Sequence, residues 1–154
     1  MASYVIKIGR FKKECPDFLK RLHHPLVEMF RPQSYNLFEE VEPWLHEEQK
    51  KKDASVPGKV IYHNITKEEF SLASQLSFMD GLEIIKIVGR DLMIFREIFG
   101  SNTTLTLWGS KGEDYLGYPC VPVLREEKGG LVIKPKYLNS FWTKECPGLR
   151  FNKK

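Results

Sequence analysis

The stretch that decides the fold is TTLTLWGSKGEDYLGYPCVPVLREEKGGLVIK, residues 103–134. Three strand-like runs lie in it, Thr103–Trp108, Tyr115–Leu124 and Leu131–Lys134, all rich in β-branched and aromatic residues. Gly109–Asp114 and Arg125–Gly130 separate them with the Gly, Asp and Ser content of hairpin connections. This predicts an antiparallel β-meander in the C-terminal half. Pro119 and Pro122 fall inside the middle run. Proline cannot donate to a sheet ladder, so that run is expected at a sheet edge or to be bulged.

Upstream the pattern changes. Residues 3–9 alternate, with Tyr4, Ile6 and Ile8 on one side and Val5 and Lys7 on the other, as a half-buried strand would. Cys15-Pro16-Asp17 reads as a helix start, and Phe18, Leu19, Leu22, Leu26, Val27 and Phe30 follow at helical spacing. Pro25 kinks or divides that helix. Residues 34–49 also read as helical, with Phe38, Val41, Trp44 and Leu45 on one face and Pro43 interrupting. Residues 47–57 are polar and end in turn formers, so they are expected to form an exposed loop, the best candidate for disorder or proteolysis.

Gly58–His63 reads as a second strand. Thr66 and Glu69 then stand at capping-box spacing, with Ile65 and Phe70 as a hydrophobic staple, and a helix is expected to about Leu76. Asp80-Gly81 reads as a turn and Leu82–Val88 as a central strand. Asp91–Phe99 is either a short helix capped by Asp91 and Gly100 or a strand. The fold class predicted is α+β: a single compact domain over 1–154, with a β-α N-terminal half and an antiparallel β-meander C-terminal half.

Composition supports an ordinary globular chain. Apolar residues are 42% and charged residues 29% of 154 positions, which excludes disordered and fibrous classes. No run of 18 apolar residues exists, so no membrane span is expected. Cys15, Cys120 and Cys146 are odd in number and widely spaced, unlike a secreted disulfide framework. The first residues read as a strand rather than a signal peptide. A reducing compartment, cytoplasmic or nuclear, is therefore expected.

Net charge is +4, unevenly distributed. Residues 134–154 carry six basic groups against Glu145, and residues 1–24 carry six against Glu14 and Asp17. Residues 38–53 carry six acids against three lysines. If the two basic ends meet in the fold, they form one positive face.

Nucleotide-phosphate, dinucleotide, zinc-protease, hydrolase-elbow and EF-hand motifs are absent. Cofactors expected: none. Four weaker constellations remain. Glu39, Glu42 and His46 would share one side of a helix as an acid–base or metal face. Adjacent His23 and His24 point about 100° apart on a helix and cannot chelate together. Cys120 lacks a local positive environment that would form a thiolate. Gly109-Ser-Lys-Gly could cradle an anion, but no helix follows it, so a hairpin turn is favoured. The repeat of Lys-Glu-Cys-Pro at 13–16 and 144–147 has different flanks and reads as coincidence.

The aromatic, basic C-terminal third is the better lead. Trp108, Tyr115, Tyr118, Tyr137, Phe141 and Trp142 lie near Lys111, Lys134, Lys136, Lys144 and Arg150. Exposed rings with flanking cations grip single-stranded nucleic acid, each stacked base contributing about 1–3 kcal/mol. Trp108 is expected to be structural and Trp142 partly exposed. The candidate partner-binding residues are Lys134, Lys136, Tyr137, Trp142, Lys144 and Arg150. The favoured function is a non-enzymatic binding or regulatory domain that contacts another protein, using the strand at 115–124 or the acidic segment at 38–53. The alternatives are a nucleic-acid-binding module and a small enzyme built around His63 and Cys120. Leu-Thr-Leu-Trp-Gly at 105–109 resembles a strand of oligonucleotide-binding barrels, but five residues name no family and the helical first half does not fit one.

Overall fold

The structure is a computed structural model and describes residues 4–7, 15–23, 34–67 and 74–152. In chain order the elements are β1 (Val5–Lys7), β2 (Arg21–His23), β3 (Ser34–Asn36), α1 (Leu37–Glu40) and β4 (Val41–Trp44). A short 3-10 helix (Glu47–Lys50), β5 (Val56–Pro57), α2 (Gly58–Thr66), α3 (Phe78–Val88) and α4 (Leu92–Phe99) follow. The chain then runs through β6 (Leu105–Thr106), β7 (Lys111–Glu113), β8 (Pro119–Glu127), β9 (Gly130–Tyr137), β10 (Phe141–Trp142) and β11 (Gly148–Phe151).

The main sheet is built around β8. It pairs with β9 along its whole length, and Glu127 faces Gly130 across a two-residue turn. Lys128 and Gly129 both have positive φ, 51° and 77°, as a right-twisting tight hairpin requires. On its other side β8 pairs first with β7 and then with β6. The path continues through β11 to β4, and β2 lies beyond β7. So the meander is real, but β8 is central, not an edge. Its prolines sit where no donor is needed. Pro119 opens the strand. Pro122 presents its carbonyl to Leu107 N–H at 2.9 Å, at the point where the neighbour changes from β7 to β6. The connection expected at 109–114 contains β7, and the turn falls at 114–118 instead.

Two apolar clusters cover the two faces of this sheet. Leu105, Leu107, Leu124 and Leu149 face Ile84, Val88, Phe95 and Phe99 of α3 and α4, together with Ile6 and Tyr35. Trp108, Val121 and Trp142 pack with Ile61 and Ile65 of α2 and with Val56. Within β6, Leu105 faces the first cluster and the adjacent Thr106 faces the second, where it accepts from Trp142 Nε1, as a period-2 pleat requires. The result is a compact α+β domain.

Several local expectations fail, each for a tertiary reason. Residues 15–23 are not helical: Leu19 N–H closes a turn on Pro16, and Leu22 pairs with Gly112 in the sheet. The remainder of that expected helix, 24–30, lies outside the described residues, as do Glu69 and Phe70. Residues 34–49 form strand, one helical turn and strand. Asn36 caps the turn, and β4 holds Pro43 at the sheet edge, where it is tolerated. Gly58–His63 is helix, not strand. Its first amides are satisfied from a distance, Gly58 N–H by Ser140 and Lys59 N–H by Leu138. Thr66 therefore ends a helix and donates its hydroxyl to His63 C=O at 2.9 Å rather than starting one. Leu82–Val88 is the body of α3, whose cap is Ser77 paired reciprocally with Asp80. Within 47–57, Glu47, Glu48 and Lys50–Asp53 are exposed, but Gln49 is fully buried and Val56 lies in the core. Asp91–Phe99 resolves as the helix, with Asp91 Oδ1 accepting from Ile94 N–H and Gly100 closing it at φ 88°.

Candidate functional site

The six expected contact residues do not share one face. Lys134, on the outer strand β9, is exposed and paired with Glu127 at 2.7 Å. Lys136 lies 4.7 Å over the Trp142 ring, a cation–π contact. Tyr137 is 40% exposed. Trp142, expected to be partly exposed, is fully buried: Nε1 donates to Thr106 Oγ1 at 2.9 Å and the ring sits 5.1 Å from Trp108. Trp108 is fully buried, as expected. Lys144 and Arg150 belong to a different surface, described below. Nor do the basic ends converge among the described residues. Arg21 is on β2 at one end of the sheet path and Arg150 on β11 near the other.

What the C-terminal half does expose is a turn. Tyr115 is 68% exposed, Leu116 81% and Tyr118 53%. Asp114 holds this apolar turn rigid. Its Oδ1 accepts from Leu116 and Tyr118 N–H at 2.9 Å each, its Oδ2 accepts from Tyr137 O–H at 3.0 Å, and its carbonyl accepts from Gly117 N–H. Gly117 has φ 86°, open to glycine without strain. The bond from Tyr118 N–H, with those from Tyr137 and Leu116, holds the Asp114 carboxyl below its usual range. The same bond to Asp114 raises the Tyr137 phenol. Tyr118 and Tyr137 meet edge to face at 6.5 Å. Leu116 and Asp114 went unnoticed in the sequence. The signal available was an Asp followed by a Tyr-Leu-Gly-Tyr run, an Asx turn with apolar flanks.

Two clefts open on the other side of the sheet's end, and both include Thr103. The first, about 450 Å³, lies between α4 and β8. Its cations are neutralised within the fold: Arg96 grips Glu126 with two bonds of 2.6 and 2.8 Å, and Arg125 meets Glu127 at 2.7 Å. The second, about 400 Å³, is lined by Trp44, Phe99 and Pro147 and by Lys50, Lys144 and Arg150, with no acidic lining residue.

The remaining constellations are structural. Glu39, Glu42 and His46 fall on a helix, a strand and a loop, so they share no face. Glu42 accepts from Arg150 Nε at 3.0 Å. His46 Nδ1 accepts from Glu48 N–H at 3.1 Å, and its Nε2 lies 3.0 Å from the Asn64 side-chain amide, so both ring nitrogens are engaged within the fold. His24 lies outside the described residues, and His23 is on β2, so no helix carries the pair. His63 is exposed on α2. Burial, with Asp114 and Glu113 nearby, pushes the Cys120 thiol up to about 11, so it is neutral at physiological pH. The amides of Gly109 and Ser110 are taken by Leu76 and Leu107 carbonyls, which leaves no anion cradle. Among the described residues no group of three His, Cys, Asp or Glu side chains is placed to hold a metal, and no helix is long and apolar enough to cross a membrane. No protein family, curated protein or solved structure matches the chain.

Proposed function

We infer that this domain is a non-enzymatic binding module whose contact surface is the rigid turn Asp114–Tyr118 with the neighbouring Tyr137. One observation carries the reading: three large apolar side chains within four residues are exposed by more than half, on a turn whose backbone Asp114 pins. Ordered, solvent-facing tyrosines lose little conformational entropy on contact, which is why such residues anchor interfaces. The partner suited to this surface is a protein presenting an apolar patch.

Strand β8 (Pro119–Glu127) is interior, so it offers no free sheet edge to a partner. The outer strand β9 is a poor template for strand addition: Pro135 and Lys134 lie along it, a usual guard against edge pairing. A nucleic-acid role draws on Lys136 and the same rings. It is opposed by Asp114 and Glu113, which put negative charge beside them. An enzymatic role finds no support at Cys120 or His63.

The test is a comparison of wild type with Leu116→Asp and Tyr118→Ala by cross-linking in the cells of origin, with mass spectrometry of what is captured. A protein retained by wild type, lost from both variants and insensitive to nuclease supports the proposal. An identical capture by all three chains refutes it. Loss of capture on nuclease treatment, with affinity falling linearly in log salt, assigns the surface to nucleic acid.

A further inference from the structure

The 400 Å³ cleft beside β4 and β11 has a chemistry distinct from the aromatic turn and independent of it. We propose that it binds a small phosphate monoester carrying a planar ring, with the phosphate held by Lys144 and Arg150 and the ring against Trp44 and Phe99. Its volume lies within the roughly 300–1,000 Å³ of small-molecule sites. Its walls combine apolar surface with a few converging charged donors, the usual build of such a site.

The charge arrangement carries the inference. Glu42 takes Arg150 Nε at 3.0 Å, and among the described residues the two terminal guanidinium nitrogens have no partner. One edge of the guanidinium is thus anchored and the fork remains open, the geometry that suits an oxyanion. Lys144 forms no ion pair among the described residues. Its neighbour Glu145 accepts from Thr143 O–H at 2.7 Å and feels the Lys144 charge only at longer range. Lys50, at the rim, is held by Glu47 at 3.0 Å and serves as a longer-range positive charge. In the adjoining cleft every cation is paired with an acid, so an anion gains little there. Half-buried Trp44 supplies the flat apolar wall, in edge contact with His46. Phosphate alone would satisfy only the cations, and a ring alone only the wall.

The three tryptophans provide the readout, since Trp108 and Trp142 are fully buried and only Trp44 lines the cleft. Adenosine monophosphate, adenosine and inorganic phosphate are titrated separately into the labelled full chain, and the indole N–H resonances are followed by two-dimensional NMR. Trp44→Phe assigns its signal. The expected result is a saturable shift of the Trp44 indole with the nucleotide, and binding about tenfold or more weaker for the nucleoside and for phosphate alone. Lys144→Glu should weaken the nucleotide about tenfold or more with an unmoved thermal midpoint. No saturable shift below about 10 mM nucleotide overturns the proposal, as does an unchanged affinity in Lys144→Glu. Phosphate binding as tightly as the nucleotide overturns the ring wall and reduces the cleft to a simple anion site. Capture of a protein at the aromatic turn has no bearing on any of these outcomes.

Discussion

Truncating Trp142 tests the most consequential placement in the fold. The ring is fully buried, its Nε1 donates to Thr106 Oγ1 at 2.9 Å, and Lys136 covers it. A Cβ built on Gly58 would fall 2.1 Å from the ring's Cζ3, so helix α2 packs directly on the indole. Trp142→Ala removes this volume at a cost of about 3–5 kcal/mol. The buried Thr106 hydroxyl loses its donor, which adds about 1 kcal/mol. A total of about 4–6 kcal/mol is comparable with the whole stability of a marginal domain, about 5–15 kcal/mol. Trp142→Phe is therefore the informative variant. It keeps a ring and loses the hydrogen bond, and a double-mutant cycle with Thr106→Val should return a coupling of about 1 kcal/mol. The assay is urea unfolding followed by circular dichroism, with unchanged slopes licensing the comparison. Phe141→Ala is the control: Phe141 is 55% exposed and adjacent, and should cost about 0.5 kcal/mol or less. If Trp142→Ala costs under about 1 kcal/mol, or Phe141→Ala costs as much, the register of β10 is wrong.

Cys15 is exposed and Cys120 is buried with a thiol raised to about 11, so iodoacetamide at pH 8 should label Cys15 and spare Cys120. The folded state holds the Cys120 proton more tightly than the unfolded chain. That contribution to stability is complete below the ordinary thiol value of 9.0 and disappears as pH rises through about 11. Comparable labelling of both thiols would show that the β8 core is open. Asp80 is fully buried and accepts from Tyr35 O–H at 2.6 Å and from Ser77 N–H and O–H at 2.7 and 2.9 Å. Asp80→Ala should cost about 3 kcal/mol or more in urea unfolding, and a change under about 1 kcal/mol would contradict the network. Asp114→Ala should make the Tyr115–Leu116 bond a fast chymotrypsin site. In wild type the same loosening should emerge only in acid: the depressed Asp114 pKa gives a contribution that is full above the ordinary carboxyl value of 3.8 and lost as pH falls through the lower folded one. Equal cleavage of both chains at neutral pH would show that Asp114 does not hold the turn.

What was legible in the sequence was what is sealed locally. The β8–β9 turn carries its own backbone requirement in Lys128-Gly129, and α4 carries caps in Asp91 and Gly100, although its length alone leaves helix and strand both open. Helix α2 does not. Val60, Ile61 and Tyr62 favour a strand by propensity, and the carbonyls that satisfy its first turn come from Leu138 and Ser140. Helix α3 is apolar over most of its surface, because it packs against β1, α4 and β9, and the ion pair Glu83–Lys86 marks its solvent side. A mostly buried helix and a buried strand share that signature. Strand β11 was not seen at all. It earns its place by pairing with β4, about a hundred residues earlier, and with β6.

The candidate surfaces follow the same division. Tyr115, Tyr118 and Tyr137 stand out in the sequence because aromatic residues beside turn formers are conspicuous. Whether each ring faces water depends on pairing, and successive strand residues face opposite ways. In β10, Phe141 opposite Pro57 points outward and Trp142 opposite Val56 points inward. A slip of one residue would exchange them and turn a core indole into a stacking platform. The cationic cleft is further from the sequence still. Lys144 and Arg150 stand close together in the chain, but the wall that gives their charge a ligand shape is made by Trp44 and Phe99, from β4 and α4. Charge clustering in the sequence marks the cations of that cleft and nothing of its wall. The cleft itself exists because β11 pairs with β4, which brings Arg150 opposite Glu42 and leaves the rest of its guanidinium without a partner among the described residues.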